Sequence, residues 1–278
     1  MPSPPKNAAS LKPNPSLPRQ IPPLRILNPP TNLGLNPRAT PLPIIPSIST
    51  STSSSFRNNI LLIIPTANAS KTRLLTAHLN HNLPPSSTLH TLTLPATSNA
   101  GEQPYDSLGP IGARNRIANA LTLFTSSPDH LSLLTKHQIG TVIIGAVENF
   151  IIRNYSSNSN GEEKKAVPAP VDFGYVALYN ATSGKLETGI SRGVRVPVEY
   201  LKEAESYGFE DEEDEDEDGD GDGERKKGKV TVGEALAANI EGLDKADWHK
   251  VLSVGKVSRY DLLKEALDGL EVPWSGTD

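Results

Sequence analysis

A nearly continuous apolar run, GTVIIGAVENFII at residues 140–152, limits the fold more than any other feature of the sequence. Its length and its β-branched residues predict a buried strand. A second apolar run, ILLIIPT at residues 60–66, is bounded by a proline and predicts another buried strand. The segments around these two runs decide what kind of sheet they join.

Helices and strands alternate along this part of the chain. Residues 71–81 place leucines and a histidine on one helical face, residues 88–94 have strand character, and a helix is predicted to begin near Ala113. A hairpin follows, with NATSGK as its turn, and then further helices, one of which is opened by Pro197. This order predicts a single α/β domain with a central mixed sheet flanked by helices.

Residues 1–59 are expected to form a disordered tail that precedes the domain. Fourteen prolines fall between Pro2 and Pro46, and residues 47–55 are almost all Ser and Thr. Such a segment buries too little apolar surface to offset its ordering entropy. A basic, acid-free, Ser-rich segment is also typical of an organelle transit peptide, although the prolines disfavour the amphipathic helix that such a peptide needs. The domain itself is expected to cover residues 60–275.

Charge is distributed unevenly along the chain. Residues 1–101 hold eight Lys and Arg and no acid, whereas the remainder holds 19 bases and 32 acids. Many of these acids lie in residues 207–229, where the spacing of Asp214 and its neighbours resembles half of a calcium loop. The twelfth position of that loop needs a Glu and holds Arg225, so we expect a disordered, solvated acidic insertion.

Composition also excludes several classes of function. The chain has no cysteine, so it has no disulfide framework and no thiolate chemistry. No apolar run approaches the roughly 18 residues of a membrane span. The basic part is too sparse and too poor in aromatic residues to predict a nucleic-acid partner.

Two polar features interrupt the apolar pattern. TANASK, residues 66–71, lies between the first strand and the first helix, where free N–H groups, the Asn68 amide and the Lys71 ammonium could receive a phosphate. The same residues fit an ordinary capped helix start, and the spacing does not decide between the two. Glu148 lies in the longest apolar run, where a carboxylate is costly to bury unless it is paired or bound.

The stretch GEQPYDSLGPIGARNRIANAL, residues 101–121, crowds two arginines and two asparagines into one helix. Arg116 and Asn119 either face an anion or serve the structure, for instance through an ion pair with a nearby acid. His78, His90 and His249 are single histidines in periodic segments, where packed or surface positions are the ordinary expectation.

Taken together, ANASK, GEQP, GARNRIANA and GKVSR resemble the inosine/xanthosine triphosphatases in type and order. In that family a phosphate loop follows the first strand, and an EQP turn precedes a GA-x-NR helix. The resemblance implies an ITPase-like fold and a non-canonical purine NTP phosphatase ancestry. It assigns catalysis to Glu148 and substrate binding to Thr66, Asn68, Ser70, Lys71, Gln103, Arg116 and Arg259.

A second branch of the same superfamily resembles the later half more closely. VENFI, VPVEYLKEA, VTVGE and DWH are similar to the carboxy-terminal domain of the animal proline-rich and coiled-coil proteins, which also carry a proline-rich amino terminus. This resemblance implies a binding or adaptor role in the cytoplasm, near the Golgi and secretory pathway. It also leaves a homodimer, and protein partners of the Pro-rich tail, as open expectations.

The chain departs from the triphosphatases at the positions that bind metal. Thr97 stands where they carry a Glu, Ser107–Gly109 where they carry acids after the EQP turn, and Val142 where they carry an Asp. Hydrolysis of a triphosphate depends on a metal held by oxygen ligands. We therefore expect a catalytically degenerate nucleotide- or phosphate-binding protein for which no metal ligand is named. The alternative is an Mg²⁺-dependent triphosphatase that converts ITP or XTP to the diphosphate.

Overall fold

The computed structural model of this chain describes residues 11–30, 41–45, 59–155, 168–209 and 227–274. Its strands are β1 (Ile26–Leu27), β2 (Asn59–Ile64), β3 (Thr88–Thr93), β4 (Gln103–Pro104), β5 (Ile139–Tyr155), β6 (Ala169–Asn180), β7 (Leu186–Ile190), β8 (Gly193–Arg195) and β9 (Lys227–Gly228). Its helices are α1 (Ala69–His81), α2 (Leu108–Thr125), α3 (Pro128–Lys136), α4 (Val198–Ser206), α5 (Val232–Asn239), α6 (His249–Leu252) and α7 (Arg259–Asp268).

Seven strands form one mixed sheet in the order β1-β8-β6-β5-β2-β3, with β7 also paired to β6. Strand β2 runs parallel to both β3 and β5, whereas the pairs formed by β6 are antiparallel. The predicted hairpin is formed by β6 and β7, and β8 then pairs with the first part of β6. The predicted α/β class, a central mixed sheet flanked by helices, is confirmed.

Both faces of the sheet are covered. Along β2, Leu61 and Ile63 pack on the face that carries α2, while Leu62 and Ile64 pack on the opposite face with α1 and α7. Burial on both faces explains why β2, β5 and β6 consist of apolar runs and do not alternate with polar residues.

Strand β5 is longer than the predicted strand at 140–152 and runs past the end of its neighbour. Its parallel pairing with β2 ends at Ile63–Ile144, while its pairing with β6 continues to Tyr155. Beyond Ile144, one edge of β5 therefore faces no β2 residue. Glu148 lies on this extension, in the body of β5 and beyond the carboxyl end of β2.

The prediction that residues 1–59 do not pack against the domain is wrong for two segments. Residues 11–30, called here the strap, lie against α4, α5 and α6, and Leu24 is 7% exposed. The Leu24 N–H donates to the Leu252 carbonyl at 2.7 Å, and the Leu24 carbonyl accepts from Val254 N–H at 2.8 Å. The strap also adds β1 to the edge of the sheet beside β8.

Residues 41–45 form the second packed segment. The Ile45 N–H donates to Ala181, and the Tyr179 hydroxyl donates to the carbonyls of Leu42 and Pro43. The few leucines and isoleucines of these proline-rich segments pack against apolar residues of the domain. The tail has too few apolar residues to form such contacts by itself. The remaining residues before Asn59 lie outside the described part of the chain.

The ends of the predicted acidic insertion at 207–229 are ordered elements of the domain. Strand β9 pairs with β4, and Phe209 forms a bridge to Gly228 and an edge contact with Tyr105. Residues 210–226, which hold all the acids of this insertion, lie outside the described residues. None of the described helices is long and apolar enough to cross a membrane.

Candidate functional site

A cleft of about 640 Å³ opens where β2 and β3 end and β5 continues. Its floor and walls come from the start of α1, the loop at 95–104, helix α2, the extension of β5 and the start of α7. Five of the eight predicted site residues line it: Asn68, Lys71, Arg116, Glu148 and Arg259. The carboxyl ends of parallel strands are where open α/β sheets place their sites.

Glu148 and Arg116 form an ion pair at the wall of the cleft. Arg116 Nε donates to Glu148 Oε2 at 2.7 Å, and its terminal nitrogen Nη2 lies 3.4 Å from Oε1. The Glu148 residue is only 4% exposed, so the guanidinium is what makes burial of this carboxylate tolerable. The structural interpretation of Arg116, an arginine paired with a nearby acid, is therefore confirmed.

The amide and guanidinium groups of α2 also hold the loop that follows β3. Asn115 Nδ2 donates to the Ser98 carbonyl at 2.8 Å, Arg116 Nη1 to Ala96 at 2.7 Å, and Asn119 Nδ2 to Thr97 at 3.0 Å. Three successive carbonyls are thus bound by three side chains of one helix. These hydrogen bonds to the loop backbone explain three of the four Arg and Asn side chains in GARNRIANA: Asn115, Arg116 and Asn119.

A glycine lets α2 come close enough for these contacts. A Cβ added at Gly112 would lie 2.9 Å from the Ala100 Cβ and 3.4 Å from the Glu148 Cγ. The first distance is shorter than ordinary packing allows, so a larger residue would push α2 away from the loop and from Glu148.

Lys71 is the cleft cation that no acid neutralises directly. Its Nζ donates to the Val147 carbonyl at 3.0 Å, on the edge of β5 that β2 leaves uncovered, and it forms no ion pair with another described residue. Burial lowers the pKa of Lys71; Glu148 acts against this shift, while Arg116 and Arg259 add to it. The ammonium therefore sits in a site that would favour the arrival of an anion.

Arg259 is held from behind by a buried acid. Its Nη2 donates to Asp172 Oδ2 at 2.6 Å, and His249 Nε2 lies 2.9 Å from the same oxygen. Burial alone would raise the pKa of Asp172, but the Arg259 charge and the His249 hydrogen bond outweigh it and lower the pKa. Asp247 further fixes the start of α7 by accepting from Arg259 N–H at 2.7 Å.

The start of α1 satisfies most of its own donors. Asn68 Oδ1 accepts from the N–H groups of Ser70 and Lys71, each at 3.0 Å, and Thr66 Oγ1 accepts from Asn68 N–H. The capped-helix interpretation of TANASK is therefore correct for the backbone. Thr66 does not line the cleft, and Ser70 lines a separate groove between α1 and α7.

Gln103 is the third predicted substrate contact that does not line the cleft. It is 7% exposed, its Oε1 accepts from Val232 N–H at 3.3 Å, and its Nε2 donates to Pro104. The EQP turn thus ties β4 to the start of α5, and Gln103 points away from the cleft lining.

Asp172 and His249 do not line the cleft but hold Arg259 in place, and the sequence did not predict this role. Asp172 stands in the apolar run VDFGYVALY of β6, the same signal that singled out Glu148 in β5. Applying that signal to both strands would have found the carboxylate that holds Arg259.

The described residues present no ready-made Mg²⁺ site. No group of three or more His, Asp or Glu side chains among them is placed to hold a metal ion. The cleft offers Glu148, which is bound by Arg116, and the exposed Glu102 at its rim.

Comparisons with known proteins identify no family. No family model matches the chain, and no curated protein matches it. Among solved structures, the crystal structure of protein VC0702 from Vibrio cholerae is similar, with a TM-score of 0.46 and 12% sequence identity. That match covers 74% of this chain and 90% of VC0702.

Proposed function

We propose that this protein is a nucleotide-binding protein that holds a phosphate-bearing purine nucleotide in the cleft without hydrolysing it. The observation that carries the proposal is the Lys71 ammonium, which lies in the cleft with a carbonyl as its hydrogen-bond acceptor and, among the described residues, no carboxylate partner. A phosphate oxygen would supply the missing charge. The purine preference rests on the resemblance of GARNRIANA and its neighbours to the triphosphatases.

The ion pair between Glu148 and Arg116 argues for binding without chemistry. A catalytic carboxylate must hold a metal or orient water, and both oxygens of Glu148 already face one guanidinium. Freeing it would leave a buried charge without a partner, which is costly.

A titration of the wild-type protein tests the proposal. Isothermal titration calorimetry with ITP, IMP and inosine should show affinity that rises with phosphate number and weakens with added salt. Inosine binding as tightly as ITP would contradict an anion site. Absence of any binding at millimolar ITP would contradict the proposal that the cleft binds a nucleotide.

The alternative is Mg²⁺-dependent hydrolysis of ITP or XTP, which the presence of Glu148 and Glu102 in one cleft favours. A phosphate-release assay with and without Mg²⁺ decides between the two. Under this alternative, Glu148→Gln should lower the rate at least about 10²-fold, the low end for losing an acid–base group. Under the binding proposal, the wild type releases no phosphate above background.

A further inference from the structure

The guanidinium of Arg259 is held on one side and open on the other. Its Nη2 donates to Asp172 Oδ2 at 2.6 Å, and its Nε is buried with no acceptor among the described residues. Nη1 also forms no hydrogen bond with a described residue, but it is not buried. Since Arg259 lines the cleft and its side chain is 20% exposed, Nη1 is the nitrogen that a ligand in the cleft can reach.

The acid behind Arg259 is fixed on a rigid strand. Asp172 lies within β6 and is 5% exposed, and its Oδ2 also accepts from His249 Nε2 at 2.9 Å. A carboxylate only accepts, so the ring proton that meets Oδ2 is on Nε2. The His249 side chain is 2% exposed and stacks on Trp248, with the ring centroids 3.8 Å apart. Packing thus locks both partners of this hydrogen bond and makes Asp172 a firm anchor for the guanidinium.

The backbone of Arg259 is fixed as well. Arg259 is the first residue of α7, and its N–H donates to Asp247 Oδ1 at 2.7 Å, while the other Asp247 oxygen accepts from Ser258 Oγ. The residue is therefore held at its backbone by Asp247 and at the tip of its side chain by Asp172. With both ends fixed, Nη1 has a defined direction, and little side-chain entropy is lost when a ligand arrives.

An arginine suits this position because its planar fork offers donors on two sides. A lysine ammonium is a compact point charge, which would have to choose between Asp172 and a ligand. Lys71 is such a point charge on the same cleft, and the Arg259 charge lowers the pKa of Lys71. Two cations that disfavour each other across a cleft are both stabilised by an anion placed between them.

We propose that Asp172, supported by His249, is a positioning residue that presents Arg259 Nη1 to the same anionic group that Lys71 binds. This role rests on the proposed function of the cleft and adds the shape of the ligand group. An oxyanion with at least two oxygens, such as a phosphate, fits, because one oxygen meets Lys71 Nζ and another meets Arg259 Nη1. Asp172 and His249 act through Arg259 and do not contact the ligand.

Substitutions of Arg259 test the fork. In calorimetric titrations with ITP in the absence of Mg²⁺, Arg259→Lys and Arg259→Met should each weaken binding at least about tenfold, the low end for a charge-assisted hydrogen bond. Arg259→Lys keeps the charge, so its loss reports the lost geometry. Arg192→Lys is the matched control: Arg192 forms an exposed ion pair with Glu265 outside the cleft lining, and the affinity should not change.

Substitutions of Asp172 and His249 separate positioning from a merely structural role. Asp172→Asn should weaken ITP binding at least about threefold in the wild type and leave the affinity of Arg259→Met unchanged, because it acts only through the guanidinium. His249→Leu removes the donor to Asp172 Oδ2 and should weaken ITP binding about threefold. His249→Gln supplies an amide N–H in its place and should bind ITP nearly as the wild type does.

An Arg259→Lys variant that binds ITP like the wild type would overturn the positioning role, and so would tighter binding by Asp172→Asn or an equal loss in both backgrounds. If Asp172→Asn does not fold, Arg259→Lys and the two His249 variants still decide. If Lys71→Met loses affinity while all these variants keep it, the cleft is an anion site without this positioning. A wild type that binds no ITP would reject both the anion site and the positioning role.

Discussion

At the residue scale, the sequence showed where charge is unusual but not what the charge does. The sequence singled out Glu148 as a glutamate in an apolar strand and Arg116 as an arginine of helix α2. Their ion pair, 32 residues apart in sequence, depends on how α2 crosses β5, which no local pattern encodes. The same crossing directs Asn115 and Asn119 to the loop carbonyls.

The Glu148–Arg116 pair yields the first prediction. Arg116→Met should lower the free energy of unfolding by about 3–5 kcal/mol, because it leaves a buried carboxylate unpaired. Adding Glu148→Gln should recover part of this loss, giving a coupling energy of at least about 1.5 kcal/mol in a double-mutant cycle measured by urea unfolding. Strictly additive effects would show that the two side chains do not depend on each other.

At the element scale, the strands and most helices were predictable because their signals are local. The runs that became β2 and β5, and the capping boxes of α5 and α7, report directly on backbone structure. The strap was not predictable. Its composition is that of a disordered segment, and only the apolar surface of α4, α5 and α6 gives Leu24 a place to be buried.

The strap gives the second prediction, at the same scale. Leu24→Ala should lower the free energy of unfolding by about 2–5 kcal/mol, as for other buried leucines. The exposed neighbour Arg25→Ala is the control and should stay within about 0.5 kcal/mol of the wild type. Thermal or urea unfolding measures both. A Leu24→Ala variant as stable as the control would mean that the strap does not pack in solution.

At the scale of the whole molecule, the fold is a sheet buried between two helical layers, with a third apolar cluster formed by the strap and α4–α6. Element order was enough to predict the class, because alternating strands and helices leave few ways to cover both faces. The sequence predicted the position of the cleft only roughly, because the shape of the cleft depends on how far β5 extends beyond the end of β2.

The buried histidines predict how the stability of the whole molecule depends on pH. Burial lowers the pKa of His249, Arg259 lowers it further, and Asp172 opposes both; burial also lowers the pKa of His78. Below about pH 6.5, each of these histidines is protonated in the unfolded chain but stays neutral in the folded protein until a lower pH. Stability that is present above this pH is therefore lost as the pH falls.

Urea unfolding at pH 7.5, 6.5 and 5.5 measures this dependence. The slope should reach at most about 1.4 kcal/mol per pH unit for each such histidine, and His249→Gln should reduce it. A free energy of unfolding that is constant over this range would show that these imidazoles protonate freely in the folded state.

The central claim is that the Lys71 side chain is placed in the cleft to bind an anionic ligand. Lys71→Met keeps the length of the side chain and removes the charge. In paired measurements of ITP affinity and urea stability, we expect affinity to fall by about 1.5–3 kcal/mol. The free energy of unfolding should stay within about 1 kcal/mol of wild type, because relief of the buried charge offsets the lost bond to Val147. Unchanged affinity with a large loss of stability would instead make Lys71 a structural cap of that carbonyl.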